Sequence, residues 1–213
     1  MKQISSGWQY RVYDLGNGRV RKIERSLLDS FYCVFFTESS KFYHRPMKSF
    51  QEARRLGREN LKTINRLKEI LSVIPPQLFG NIKFLGGADY EQDLACPLGE
   101  YFRDHSPDEN KKAIAGYVEL VLKLWRYGCS DTIFNFTLNS AIDSNNRVIQ
   151  IDIRELAFDK EAVINDIKTK KWLMQASHSF LEDLELKKFF REEMDRFATL
   201  ENLDNNWKYE QKL

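Results

Sequence analysis

Hydrophobic and polar positions alternate along the first part of the chain. Residues 8–25, WQYRVYDLGNGRVRKIER, place apolar and polar side chains by turns about Asn17-Gly18. A period of two marks a half-buried strand, and Asn-Gly is a strong hairpin signal because a type I′ turn needs positive φ at both central residues. The next run, SFYCVFFTES, is aromatic and β-branched and predicts a further strand pair. The period then changes. Ser49 with Glu52 reads as a capping box. Ala53, Leu56, Asn60, Ile64, Leu67 and Leu71 fall on one helical stripe, and Pro75-Pro76 stops the helix.

Two short strands about Gly86-Gly87 follow, then a connecting segment with Pro97 and Gly99. Ser106-Pro107-Asp108-Glu109 is a complete helix start, with a cap, Pro at the first position and Glu to close the box. Its helix turns Ile114, Tyr117, Val118, Val121, Leu124 and Trp125 inward and ends at Gly128. A second hairpin folds about DSNN, with Ile142 expected opposite Arg147, and from about Asp159 the pattern is helical. This order predicts an α+β protein, β-rich over residues 1–100 and mainly helical over 101–213.

Composition narrows the classes. The 213 residues are 42% apolar and 13% aromatic, enough to bury a core, and few are Gly or Pro, which argues against disorder. With 33 basic and 31 acidic residues the net charge is +2, which implies no general affinity for nucleic acid. Cys33, Cys96 and Cys129 form no CxxC pair, and His44, His105 and His178 have no metal-ligand spacing. The N-terminus lacks an apolar signal core and no run of about 18 apolar residues exists. The expectation is a cytoplasmic protein with no membrane partner. The aromatic cluster from Phe31 to Tyr43 reads as core or lobe packing.

Candidate chemistry gathers in DTIFNFTLNSAIDSNNRVIQIDIREL, Asp131 to Leu156. Asp152 ends the buried-looking strand VIQI, where a carboxylate without a partner is costly. A cation would compensate it; so would capping the next turn or pairing with Arg154. Asn135 and Asn139 lie on the returning segment, and in the expected register both amides share the face of Asp152. Asp131 reads as a general base or as a loop cap. In the first hairpin, Lys22 sits on a strand just after a tight turn and reads as a phosphate-binding ammonium or as a solvated lysine.

Taken in this order, ISSGWQYRVYDLGNGRVRKI and IQIDIREL resemble the protein-kinase-like fold, in which a small β-rich lobe and a helical lobe clamp a nucleotide. The resemblance covers about residues 4–156 and implies a shortened helical lobe, since 57 residues follow Leu156. It implies ATP and Mg2+ as cofactors, with Gly7 and Lys22 on the phosphates and Glu59, rather than Glu52, as the acidic partner of Lys22. Asp152 would be a metal ligand, paired with Asn139, which stands thirteen residues before it as in kinase sequences, or with Asn135. Asp131 would be the base that accepts a hydroxyl proton. Three features depart from the family: the first loop glycine is missing, Arg154 replaces the Gly after the metal-binding Asp, and no HRD triplet precedes Asn135. The implied function is transfer of phosphate to a protein or small-molecule acceptor; the alternative is a catalytically impaired pseudokinase acting as nucleotide sensor or scaffold.

Overall fold

The computed structural model describes residues 1–6, 10–37, 40–131, 135–173 and 183–208. Gly7 and His178 lie outside them. The protein is α+β and divides into two compact units, Met1–Leu67 with Asn81–Leu94, and Lys68–Gly80 with Ala95–Leu213.

The first unit holds a five-stranded antiparallel sheet of β1 (Lys2–Ser6), β2 (Tyr10–Asp14), β3 (Arg19–Glu24), β4 (Lys83–Gly86) and β5 (Asp89–Asp93), in the order β1-β2-β3-β5-β4. The β2–β3 hairpin forms where the alternation predicts it, but its turn is wider than a type I′ pair. Leu15 N donates to Arg19 O at 3.0 Å, and the positive φ angles fall on Gly16 and Gly18, not on Asn17. Cross-strand ion pairs join β3 to β5, Arg19 to Asp93 at 2.8 Å and Arg21 to Glu91 at 2.6 Å.

Two expectations in this unit are corrected. The aromatic run is not a strand pair but a helix, α1 (Leu27–Phe36). Ser26 caps it by accepting from Asp29 N at 3.1 Å, and Ser30 and Val34, one turn apart, supply its buried face. Cap and spacing outweigh the β propensity of the aromatic side chains. Likewise α2 (Pro46–Ile70) starts earlier than Ser49. Pro46 occupies the first turn, where its missing N–H costs nothing. Ser49 lies inside the helix and donates its hydroxyl to Phe42 O at 2.8 Å, while Glu52 binds Arg55. The predicted stripe is otherwise sound: Ala53, Asn60, Ile64 and Leu67 are buried. Asn60 is tolerated there because its amide donates to the Tyr10 hydroxyl at 2.9 Å and to Glu24 Oε1 at 2.6 Å.

In the second unit α3 (Leu98–Asp104) and α4 (Pro107–Trp125) follow one short strand and precede four others. The capping box of Ser106 and Glu109 is present in full, and Gly128, at φ 67°, releases the chain after α4. One buried cluster runs from Ile114, Tyr117, Val121 and Trp125 of α4 to Val163 of α6 (Lys160–Lys168). It continues to Phe190 and Met194 of α7 (Leu184–Phe197) and Leu203 of α8 (Leu200–Asn206). Strands β6 (Cys96–Pro97), β8 (Ser140–Ile142) and β9 (Val148–Gln150) form one sheet. Strands β7 (Ser130–Asp131) and β10 (Leu156–Ala157) form another.

The β8–β9 hairpin is one position out from the expected register, with Ile142 opposite Val148 rather than Arg147. Asp143 is the reason. Its Oδ1 accepts from Asn145 N and Arg147 N, each at 2.9 Å, and Oδ2 lies 2.6 Å from Arg147, which organises a longer loop. The segment of Asn135 and Asn139, expected to return as a strand beside Asp152, is instead a single helical turn, α5 (Phe136–Asn139).

Gly116 marks the closest approach of α4 to β9, because a Cβ there would stand 2.8 Å from Val148 Cγ2. Gly116→Leu should therefore cost about 1–3 kcal/mol, read as a lower Tm. Val148→Ala in the same chain should recover part of that loss; purely additive losses would show that the two positions do not touch.

Candidate functional site

Three short elements of the second unit bring the polar residues of the Asp131–Leu156 stretch together. Strand β7 carries Asp131 and pairs with β10, so that Asp131 lies opposite Leu156. That pairing brings Glu155 beside Asp131. The helical turn α5 ends on Asn139, whose backbone carbonyl accepts from Ile151 N at 2.7 Å and Asp152 N at 3.2 Å. The side-chain amide of Asn139 lies 3.2 Å from both Asp131 carboxylate oxygens and 3.2 Å from Glu155 Oε2. Two N–H groups are thus shared among three acidic oxygens. Asp131 and Asn139 are buried, at 1% and 3% exposure.

Asp152 lies at the rim, and both of its oxygens turn to Arg154. Oδ1 accepts from Arg154 N at 3.3 Å, and Oδ2 lies 3.2 Å from Arg154 Nε. Its backbone carbonyl accepts from the buried Gln150 amide at 2.9 Å, which fixes the strand end. The turn cap and the Arg154 pair open to this residue are therefore both formed. Arg154 Nη2 also reaches Glu155 Oε1 at 3.2 Å. Asn135 does not join this group. It starts α5, accepting from Asn139 N at 2.8 Å, and its Oδ1 takes the Thr137 hydroxyl at 3.2 Å.

The cluster gathers negative charge. Burial pushes the Glu155 carboxyl up, and the Asp152 charge raises it further, against the opposing pull of Arg154 and the Asn139 amide. Tyr117 has its hydroxyl buried with no hydrogen-bond partner among the described residues, and burial, then the Asp131 charge, raises its pKa well above the usual value.

The donors are of the right kind for magnesium, which takes hard carboxylate and amide oxygens. Among the described residues no three His, Cys, Asp or Glu side chains form a metal cage. Magnesium does not require one, because one or two carboxylates suffice when water and phosphate complete the sphere. Asp152 and the Asn139 amide oxygen fit that partial set.

In the first unit Lys22 lies on β3, opposite Tyr90 of β5, with Nζ 5.6 Å from the Tyr90 ring centroid. Glu59 is an exposed residue of α2 paired with Arg55 at 2.5 Å; Arg55 also holds Glu52. Gly7 lies outside the described residues.

Glu155 carries no signal in the sequence. Strand alternation would put it on the face away from Asp152 and Arg154, but the turn at Arg154–Glu155 breaks that alternation. No Gly or Pro in IDIREL announces the turn. Tyr117 shows in the sequence only as an apolar position of the α4 stripe. Compared with protein families and curated proteins, the chain matches no family model and no curated protein. No helix among the described residues is long and apolar enough to cross a membrane.

Glu155 gives a test with a definite sign. Its folded pKa is raised above 4.5. Between that ordinary value and the folded one, the folded state keeps a proton that the unfolded state has lost. Stability therefore falls as pH rises through the folded pKa. Glu155→Gln keeps an acceptor for Asn139 and removes the charge. At about pH 7.5 without divalent cation the variant should melt higher, by about 2–4 °C for each kcal/mol regained. The gap should close toward pH 4.5. A lower Tm at neutral pH would mean that Asn139 and Arg154 over-compensate the burial.

Proposed function

We propose that the protein is a divergent kinase-like phosphotransferase that binds magnesium-ATP and passes phosphate to a protein or small-molecule acceptor. The observation that carries this reading is the Asn139 joint, which ties the Asp131 carboxylate to the strand end that bears Asp152. Phosphoryl transfer depends on positioning and on charge neutralisation, and both are matters of where carboxylates and cations are held. Asp131 acts as the base toward an acceptor hydroxyl, its oxygens oriented by the Asn139 N–H groups. Asp152 and Asn139 Oδ1 are the ligands for magnesium, which when bound would neutralise phosphate charge. Lys22 is assigned to the phosphates from its place on β3, with Gly7 as a backbone contact. Glu59 keeps its assignment as partner of Lys22 only if it leaves Arg55.

A second reading, a nucleotide sensor or scaffold without transfer chemistry, is favoured by two specific features. Asp131 is almost wholly buried, and Arg154 sits on the carboxylate that would take the metal.

Thermal shift followed by an assay of phosphate transfer distinguishes these readings. Magnesium-ATP at 100 times its dissociation constant should stabilise the fold by about 2.7 kcal/mol. Lys22→Met should abolish that shift while leaving the ligand-free Tm nearly unchanged. Asp131→Asn should keep the shift and lose transfer. A shift in the wild type with no phosphate release or autophosphorylation selects the sensor reading; no shift at all overturns both.

A further inference from the structure

We propose that α1 and the described residues 41–48 form a docking surface for an anionic lipid bilayer. This does not rest on the nucleotide reading. Leu28, Tyr32 and Phe36, spaced one turn apart on α1, are 64%, 54% and 58% exposed, while Ser30 and Val34 on the opposite side are buried. Leu27, Tyr43 and Met47 are exposed too. Ring contacts make the patch continuous: Tyr32 to Phe36 at 6.0 Å, Phe36 to His44 at 6.1 Å and His44 to Tyr43 at 4.0 Å. Scattered apolar side chains are ordinary on a protein surface, but a contiguous patch marks an interaction.

The rim says what covers it. Lys41, Arg45 and Lys48 are exposed, and Arg25 directly precedes the Ser26 cap. The Arg54 guanidinium lies 6.0 Å over the Phe50 ring, which itself meets Phe31 at 6.3 Å. Of the described acidic neighbours Asp29 pairs with Arg11 at 3.0 Å and Glu52 with Arg55 at 2.6 Å, and the Glu52 charge also feels Lys41, which leaves Arg45 and Lys48 as the principal rim cations; Glu38 lies outside the described residues. Protruding Leu, Phe and Tyr side chains ringed by Lys and Arg suit the headgroup region. There apolar bodies enter the acyl boundary and cations meet lipid phosphates. The expectation of no membrane partner followed from the lack of a spanning run, and peripheral docking needs none. Neither contribution alone is large, so binding should be reversible and weakened by salt.

The test is sedimentation of the full chain with vesicles of phosphatidylcholine alone, or of phosphatidylcholine with phosphatidylglycerol. Wild type should bind the anionic vesicles and not the neutral ones. Arg45→Gln and Lys48→Gln should each weaken binding by about fivefold. Leu28→Ser with Tyr32→Ser and Phe36→Ser should abolish it with an unchanged circular dichroism spectrum, because these side chains are exposed. Should the triple variant lose its fold, Phe36→Ser alone carries the test, with a clear loss of binding expected. Failure of wild type to bind anionic vesicles overturns the proposal, as does unaltered binding in a folded variant. A dimer in the absence of lipid that the triple variant abolishes would assign the face to a second copy of the chain instead.

Discussion

The Asn139 amide is the joint on which the candidate site depends. Its side chain faces two carboxylates and its main-chain carbonyl receives two amide N–H groups from the segment that ends on Asp152. No apolar contact could replace it, because packing is indifferent to direction and these carboxylates need donors. A nearly inaccessible Asp131 has lost most of its water, and leaving such an acceptor unmatched costs more than the hydrogen bond itself contributes. The α5 turn, the strand end at Asp152 and the β7–β10 pair are thus fixed together by the need to satisfy buried oxygens. The chain reaches this state with Asp131 and Glu155 on one amide and with the Asp152 charge acting on Glu155 from the rim.

That gathering of like charge is the feature on which the proposed site rests. A buried polar network built only for stability has no reason to set carboxylates against one another, since the low local dielectric magnifies their repulsion. Here Arg154 compensates Asp152 and Glu155 from the rim, while Glu155 remains raised by burial and by its acidic neighbour. A cation entering beside Asp152 would compete with a guanidinium already in place. In the kinase-like reading proposed above Arg154 takes the place of a glycine, and its ion pair with Asp152 is what that departure would mean for the site.

Some local signals were legible in the sequence and others were not, for the Ser49–Glu52 box proved to lie inside α2. Ser106 to Glu109 predicted the start of α4 because cap, Pro and Glu all act within one turn. The helical stripe of α2 survived even the polar Asn60, since helix period outweighs one residue. Signals that depended on composition failed: the Phe-rich run became α1, because aromatic side chains favour strands only when a sheet is there to receive them. The hairpin slipped by one position because the Asp143 carboxylate bridges two amides, an arrangement that a count of turn residues does not contain. At the site, Asp131, Asn139 and Asp152 were legible as polar residues beside apolar runs. Glu155 was not, because an unmarked turn aims it and only the β7–β10 pairing brings it to Asp131.

Two places in the chain break the ordinary rules of a stable fold, and they break them in opposite directions. In the second unit a buried carboxylate, Asp131, and a half-buried one, Glu155, share one amide; in the first, large apolar side chains on α1 are exposed although the same helix has a buried face. Neither the charge on Glu155 nor the exposed face of α1 belongs to the buried apolar core. The core of the second unit runs through α4, α6, α7 and α8, and that of the first lies on the sheet and α2. Stability alone would favour an amide at Glu155 and polar residues at Leu28 and Phe36. Conflicts between local preference and the observed state that bring the fold no gain are where a protein's work is expected to lie. On that argument the acidic cluster and the aromatic face are the two places where the proposed cation and bilayer roles are to be sought.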